Sequence, residues 1–347
     1  MRPGIRRIPF LILLVLSLVI GGCSASEAKR DAAEGARLYD RGDYDGALPL
    51  LEESVSQGVD DGQVFYRLAY IYEVKGQPDK VRSAREKAEP LLARQAASEG
   101  GTLEDSYYLT ALYAGLQRAE DMRKAAEAGV KKFGQRSDLS GEDLFRLGRL
   151  HQFAGRGELA AAAYRKATEA MAKEPDPNPI LFALALISDA GTDLQARRYT
   201  EAAQKLEKAE SLNPKSPPDG YRMALADLGA ERYAQARERF GRVRDEATAT
   251  EAQYGADVAR HLEVLGKKVE KTADGKTFLE MDNVALEASL KAAAQSYREA
   301  KGGGKAQPES LAEAERLFFS LTAEWMLRGN SLREVSLSGK FADLIRQ

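Results

Sequence analysis

The sequence predicts an all-α chain of repeated helical hairpins, and both its composition and its spacing predict it. Ala, Leu, Glu, Lys and Arg dominate the 347 residues, Gly and Pro cluster between amphipathic stretches, and no run of alternating Val, Ile or Thr suggests a sheet. Small residues also return at a fixed interval, 34 residues from Gly42 to Gly76 and 34 from Ala202 to Ala236. A unit of that length is one hairpin that buries its apolar face only by stacking on neighbours, so the chain grows along an array instead of around one large core.

The first element is an export segment. Arg2, Arg6 and Arg7 precede an apolar run from Ile8 to Ile20, and small residues follow. That run is shorter than the roughly 20 residues a stable membrane span needs. It ends in Ile20-Gly21-Gly22-Cys23, which resembles the lipobox of bacterial lipoproteins. The resemblance implies removal of residues 1–22 and diacylglycerol on the sulfur of Cys23, which becomes the new N-terminus. Cys23 is the single cysteine, so intramolecular disulfides and cysteine metal clusters are excluded. Two or three acyl chains hold a protein on a membrane without crossing it. Ser24 after the cysteine, where Asp would favour inner-membrane retention, points to the periplasmic face of the outer membrane in a Gram-negative source.

The array follows, in residues 23–250. Its clearest unit is Leu147-Gly148, His151, Gly155, Ala160, Tyr164 and Ala167. Other copies are Gly35, Leu38, Gly42, Tyr44 and Ala47; Leu68, Ala69, Tyr72, Gly76 and Ala88; and Tyr107, Ala111, Gly115 and Phe133. Tyr199, Ala202, Leu206, Ala209 and Pro214 make a fifth, and Ala224, Tyr233, Ala236, Phe240 and Val243 a sixth. This signature resembles the tetratricopeptide repeat. The resemblance implies about six hairpins in a right-handed superhelix, with partners held on the concave face lined by the first helix of each pair. The middle units are lengthened, with extra residues expected in loops near 134–141 and 174–179, where insertions cost little.

Residues 251–347 form a C-terminal helical region, a cap or a docking module. Helices are expected from about 251 to 268 and 284 to 300, then a breaker at Gly302-Gly303-Gly304. Pro308 opens a further helix with Leu311, Ala314, Phe318, Leu321 and Trp325 on one face.

Composition narrows the function. Lys plus Arg number 51 and Asp plus Glu 53, interspersed, so the chain has no basic stripe to displace phosphate counterions and is not read as a nucleic-acid binder. Only two histidines exist, His151 expected in packing and His261 on a solvent-facing helix surface, and no convergent titratable set marks an enzyme, a cofactor or a metal. Gly302-Gly303-Gly304-Lys305 lacks the spacing and hydroxyl of a phosphate loop. Asp43, Asp45, Asp60 and Asp61 read as turn and cap residues.

Function is therefore expected on the helical groove, as a scaffold or adaptor for envelope proteins or peptides. Carried over from the family's first-helix contacts, the partner-binding set is Tyr66, Tyr70, Glu73, Tyr113, Phe145, Arg149 and Gln152, with Asp105 and Leu109 beside Tyr113 in the third unit. Tyr and Arg are the types that dominate interface energetics. The paired asparagines of the carboxylate clamp are missing, because all four (Asn178, Asn213, Asn283, Asn330) lie at loops or in the tail. The alternative is a carrier or sensor enclosing a small ligand such as a peptide or glycan fragment, with tyrosines and Trp325 stacking on it.

Overall fold

The computed structural model describes residues 26–335, apart from 215, 247, 267, 273 and 303–307, together with 344 and 345. The leader, Cys23 and Gly303-Gly304 lie outside the described residues. The elements are α1 (residues 26–40), α2 (Tyr44–Ser56), α3 (Gly62–Val74), α4 (Pro78–Ala97), α5 (Leu103–Gly115), α6 (Ala119–Phe133), α7 (Gly141–Phe153) and α8 (Gly157–Met171). There follow α9 (Pro179–Gln195), α10 (Tyr199–Leu212), α11 (Gly220–Gly229), α12 (Tyr233–Arg242), α13 (Ala249–Leu265), α14 (Asn283–Gly302), α15 (Pro308–Leu327) and α16 (Leu332–Val335). Among the described residues α1 to α12 pair into six hairpins of the tetratricopeptide type.

One turn recurs in all six. Its left-handed residue is Gly42, Gly76, Gln117, Gly155, Arg197 and Glu231 in order, with φ between 57° and 74°. In each the left-handed residue donates its N–H to the carbonyl three back, and the next residue to the one five back, as in Gly155 to Gln152 and Arg156 to His151. These bonds satisfy carbonyls that a helix end leaves orphaned. The intervals are 34, 41, 38, 42 and 34 residues. Gly115 is therefore not the counterpart of Gly155; Gln117 is, and the third unit's register moves by two.

Register explains the packing. Seven residues before each turn residue stand Gly35, Ala69, Thr110, Gly148, Ala190 and Ala224, all buried and small. At Gly148 a Cβ would sit 2.6 Å from the Tyr164 ring, so the paired helices can approach this closely only without one. Nine residues after the turn the large partners Leu51, Tyr164, Leu206 and Phe240 are buried in the same hairpins. Part of the lengthening lies in α4, which runs 20 residues where α2 has 13, and the rest in the loops at 134–140 and 172–178. Asp43 and Asp61 do cap helices, accepting from the Gly46 and Gln63 amides at 3.0 and 2.8 Å.

The chain divides into two compact units, Met1–Ala185 and Leu186–Gln347. In the second, one hydrophobic cluster runs from Ala224 to Ile345, as α12 packs on α13, and α13 and α14 pack on α15. His261 does not face solvent: its ring stacks on Phe319 at 4.0 Å and meets Glu315 at 2.9 Å, because α15 crosses that face of α13. Trp325 cannot stack on a ligand, being buried with its indole N–H donated to the Ser331 carbonyl. His151 is core packing, as expected.

Candidate protein-binding face

In the first unit the first helices of consecutive hairpins touch, α3 against α5 and α5 against α7. Their shared face carries aromatic rings at one end. Tyr70, 39% exposed, lies 5.6 Å from both Tyr39 and Tyr44, which belong to the preceding hairpin. Tyr66 is half-buried and stacks on Tyr108 of the next hairpin at 4.5 Å. Burial pushes the phenols of Tyr39, Tyr44, Tyr66 and Tyr108 up, so they stay neutral. Rings are fixed at little entropic cost, so a tyrosine held by two others is preorganised for contact.

The other expected residues divide. Glu73 is exposed and accepts from Arg85 at 2.7 Å. Tyr113 is half-buried beneath the Arg118 guanidinium, 4.7 Å from its ring, and burial, then Glu89, raises its phenol. Arg149 donates to Gln152 at 2.9 Å and lies over Phe153, while Gln152 also accepts from the Tyr164 hydroxyl. Phe145 offers nothing to a partner: it is 2% exposed and packs on Tyr164. Asp105 and Leu109 are likewise buried, Asp105 serving the capping box with Thr102. Phe145 stands ten residues before its turn, as Tyr66 does, but its ring meets Tyr164 of its own hairpin where that of Tyr66 stacks on the next one.

A charge ladder unforeseen in the sequence crosses the same helices. Arg67 of α3 and Arg146 of α7, with side chains 5% and 8% exposed, each place a guanidinium nitrogen 3.1 Å from Glu104 of α5. Arg67 also lies 5.0 Å from the Tyr108 ring and 4.0 Å from Asp40, and Arg146 meets Glu142 and Asp143. Burial opposes both guanidinium charges, yet the surrounding Tyr108 and carboxylates leave their pKa values raised. Burial pushes the carboxyls of Asp40 and Glu142 up. The signal existed: Arg67 and Arg146 both stand nine residues before their turn residue, but only the turn geometry fixes that register.

Among the described residues no helix is long and apolar enough to cross a membrane, and no group of three His, Cys, Asp or Glu is placed to hold a metal ion. No family model matches the sequence, and no curated protein matches it. Solved structures do. The APC/C hetero-tetramer Cut9–Hcn1 aligns over 67% of this chain at 16% identity with a TM-score of 0.47, and this chain spans 43% of the chain it matches there. The apo form of RapI aligns over 91% of this chain and 88% of its own at 13% identity, TM-score 0.44. The TPR2AB domain of yeast Sti1 with pHSP90 aligns over 68% and 99% at 17% identity, TM-score 0.26.

Proposed function

We propose that the chain is a lipid-anchored envelope lipoprotein whose first-unit helical face holds a protein partner, as a scaffold or adaptor and not as an enzyme. The observation that carries the reading is Tyr70: a large aromatic residue left 39% exposed while two neighbouring tyrosines fix its ring. An exposed, immobilised tyrosine beside charged Glu73 has the makeup of an interface anchor with a polar rim. Cys23, at the end of the leader, supplies the membrane attachment, with the outer membrane's periplasmic face as the location. Residues 251–347 cap the array, a role supported by the cluster that covers Phe240 and Leu228 with α13 and α15.

The test is crosslinking in cells with the full-length protein, beside a Tyr70→Ala, Glu73→Ala, Arg149→Ala variant built from side chains outside the core. Defined envelope proteins are expected with the natural chain and lost with the variant at unchanged thermal stability. Capture that is equal in both would place the partner elsewhere, and a Cys23→Ser chain still in the membrane fraction would remove the lipid anchor from the reading.

A further inference from the structure

His261 lies where α15 crosses α13, and its two ring nitrogens have different surroundings. Nδ1 stands 2.9 Å from a carboxylate oxygen of Glu315 on α15. The ring stacks on Phe319, one turn further along α15, with the centroids 4.0 Å apart and the planes 9° from parallel. Nε2 is sealed from solvent and has no hydrogen-bond partner. One bond and one stacked face fix the ring in a single orientation between the two helices.

Those surroundings set the tautomer. A neutral imidazole has one N–H and one bare nitrogen, and an ionised carboxylate only accepts, so the proton sits on Nδ1 and Nε2 is bare. A second proton has to enter at Nε2, where neither water nor a protein acceptor meets it. A charged donor left so is costly, and the cost disappears once the helices part and water reaches the ring. The neighbouring charges divide. Glu315 favours the imidazolium, although it also accepts from the Tyr297 hydroxyl of α14 at 3.4 Å. Against it stand Lys301 of α14, over the Tyr297 ring at 5.5 Å, and Arg260 of α13, which pairs with Asp257 at 2.9 Å. Arg316 of α15 donates to the Leu265 carbonyl, and Arg237 of α12 pairs with Glu263 of α13. Burial, foremost, holds the His261 ring below the ordinary histidine value, with Glu315 opposing and Arg260 and Lys301 reinforcing.

We infer that His261 is a proton-sensitive latch: uptake of a second proton at Nε2 loosens α15 from α13, so acidification weakens the packing of the C-terminal helices. Phe318, Phe319 and Leu321 of α15 belong to the cluster that reaches Leu228 and Phe240, so the latch acts on the covered end of the array. Parting the helices returns His261 to its ordinary pKa, about 6.5. The closed state then binds fewer protons than the open one. The contact is therefore fully held above that pH and weakens as pH falls toward the closed-state value, the opening constant growing up to about tenfold per pH unit. The latch stands whether or not the first unit holds a protein.

The experiment follows amide hydrogen exchange of the full chain between about pH 5.5 and 7.5, the range in which histidine changes charge, corrected for the intrinsic rate at each pH. Protection of α13 and α15 is expected to be constant above about pH 6.5 and to fall up to about tenfold over the unit below it. His261→Asn puts an amide N–H near the place of Nδ1 and does not titrate, so its profile should be flat. The ring signals of the two histidines in the natural chain give a second measurement, that of His261 being marked by the ring current of Phe319. A midpoint below about 6.5 is expected for it, which keeps the test decisive even if His261→Asn fails to fold. A flat profile in the natural chain, a profile that His261→Asn leaves unchanged, or a His261 midpoint above about 6.5 overturns the proposal.

Discussion

Arg197 places two hydrogen bonds, of 3.0 and 2.7 Å, on the carboxylate of Glu324, 127 residues further along the chain. It does so from the left-handed position of the fifth hairpin turn, with φ 60°, where five of the six turns make no such long-range pair among the described residues. Gln117 and Glu231 hold the same left-handed backbone without such a pair.

That relationship separates two turn substitutions. Gln117, at φ 57°, is exposed and occupies the same position without a long-range side-chain bond. Left-handed backbone costs an L-residue about 1–2 kcal/mol, partly offset by the greater unfolded-state entropy of Gly, so Gln117→Gly should gain about 0.5–1 kcal/mol. Arg197→Gly relieves the same strain but leaves the buried Glu324 with Arg328 alone, and should lose about 2 kcal/mol. Urea midpoints at constant m-value decide; equal signs for the two would show that the ion pair contributes nothing.

Asp193 tests the turn from the other side. Its carboxylate, 2% exposed, accepts from Arg198 at 2.8 Å and Lys205 at 2.6 Å, stapling the two helices of the fifth hairpin. Asp227 repeats the arrangement in the sixth, with Arg239 at 2.9 Å. Lys205 keeps Asp189 at 2.6 Å and Arg198 is 40% exposed, so Asp193→Ala, which loses the bonds across the hairpin without stranding a cation, should cost about 2 kcal/mol. A loss under 1 kcal/mol by thermal or urea unfolding would mean that water reaches the two cations.

Much of this was legible in the sequence, and the boundary of legibility has a physical cause. Gly148 against Tyr164 is a contact that residue size alone announces, and the six hairpins follow from recurrence of such pairs. Gln117, Arg197 and Glu231 carry no mark of a left-handed turn, since nothing but tertiary packing imposes one on an L-residue. Residue spacing alone therefore sets the third unit two residues out and places buried Asp105 and Leu109 in the groove. Phe145 failed for another reason, because large residues on a first helix serve the core or a partner equally well until burial separates them. Arg67, Glu104 and Arg146 belong to three hairpins, and no local pattern shows that two of them share the third.

Glu104 holds that ladder together, so Glu104→Gln should cost about 3 kcal/mol by leaving Arg67 and Arg146 without their common counter-charge. A double-mutant cycle with Arg146→Met separates loss of the bond from loss of packing. A coupling energy near zero would show that Arg146 is satisfied by Glu142 and Asp143, which also lie within ion-pair distance.

Asp40 gives the ladder a pH dependence whose sign is fixed. Burial raises its carboxyl above the ordinary value, with Arg67 opposing and Glu104 reinforcing, and burial raises Glu142 in the same way. A carboxyl with a raised folded-state pKa binds more protons folded than unfolded, so its stabilising contribution is complete below the unfolded pKa. That contribution is lost as pH rises through the folded pKa. Urea unfolding across the mildly acidic range should therefore show a falling component with increasing pH. Asp40→Asn keeps the shape and removes the charge, so it should flatten that component and raise stability at neutral pH. An Asp40→Asn chain less stable than the natural one at neutral pH would mean that attraction to Arg67, 4.0 Å away, outweighs the burial of the carboxylate.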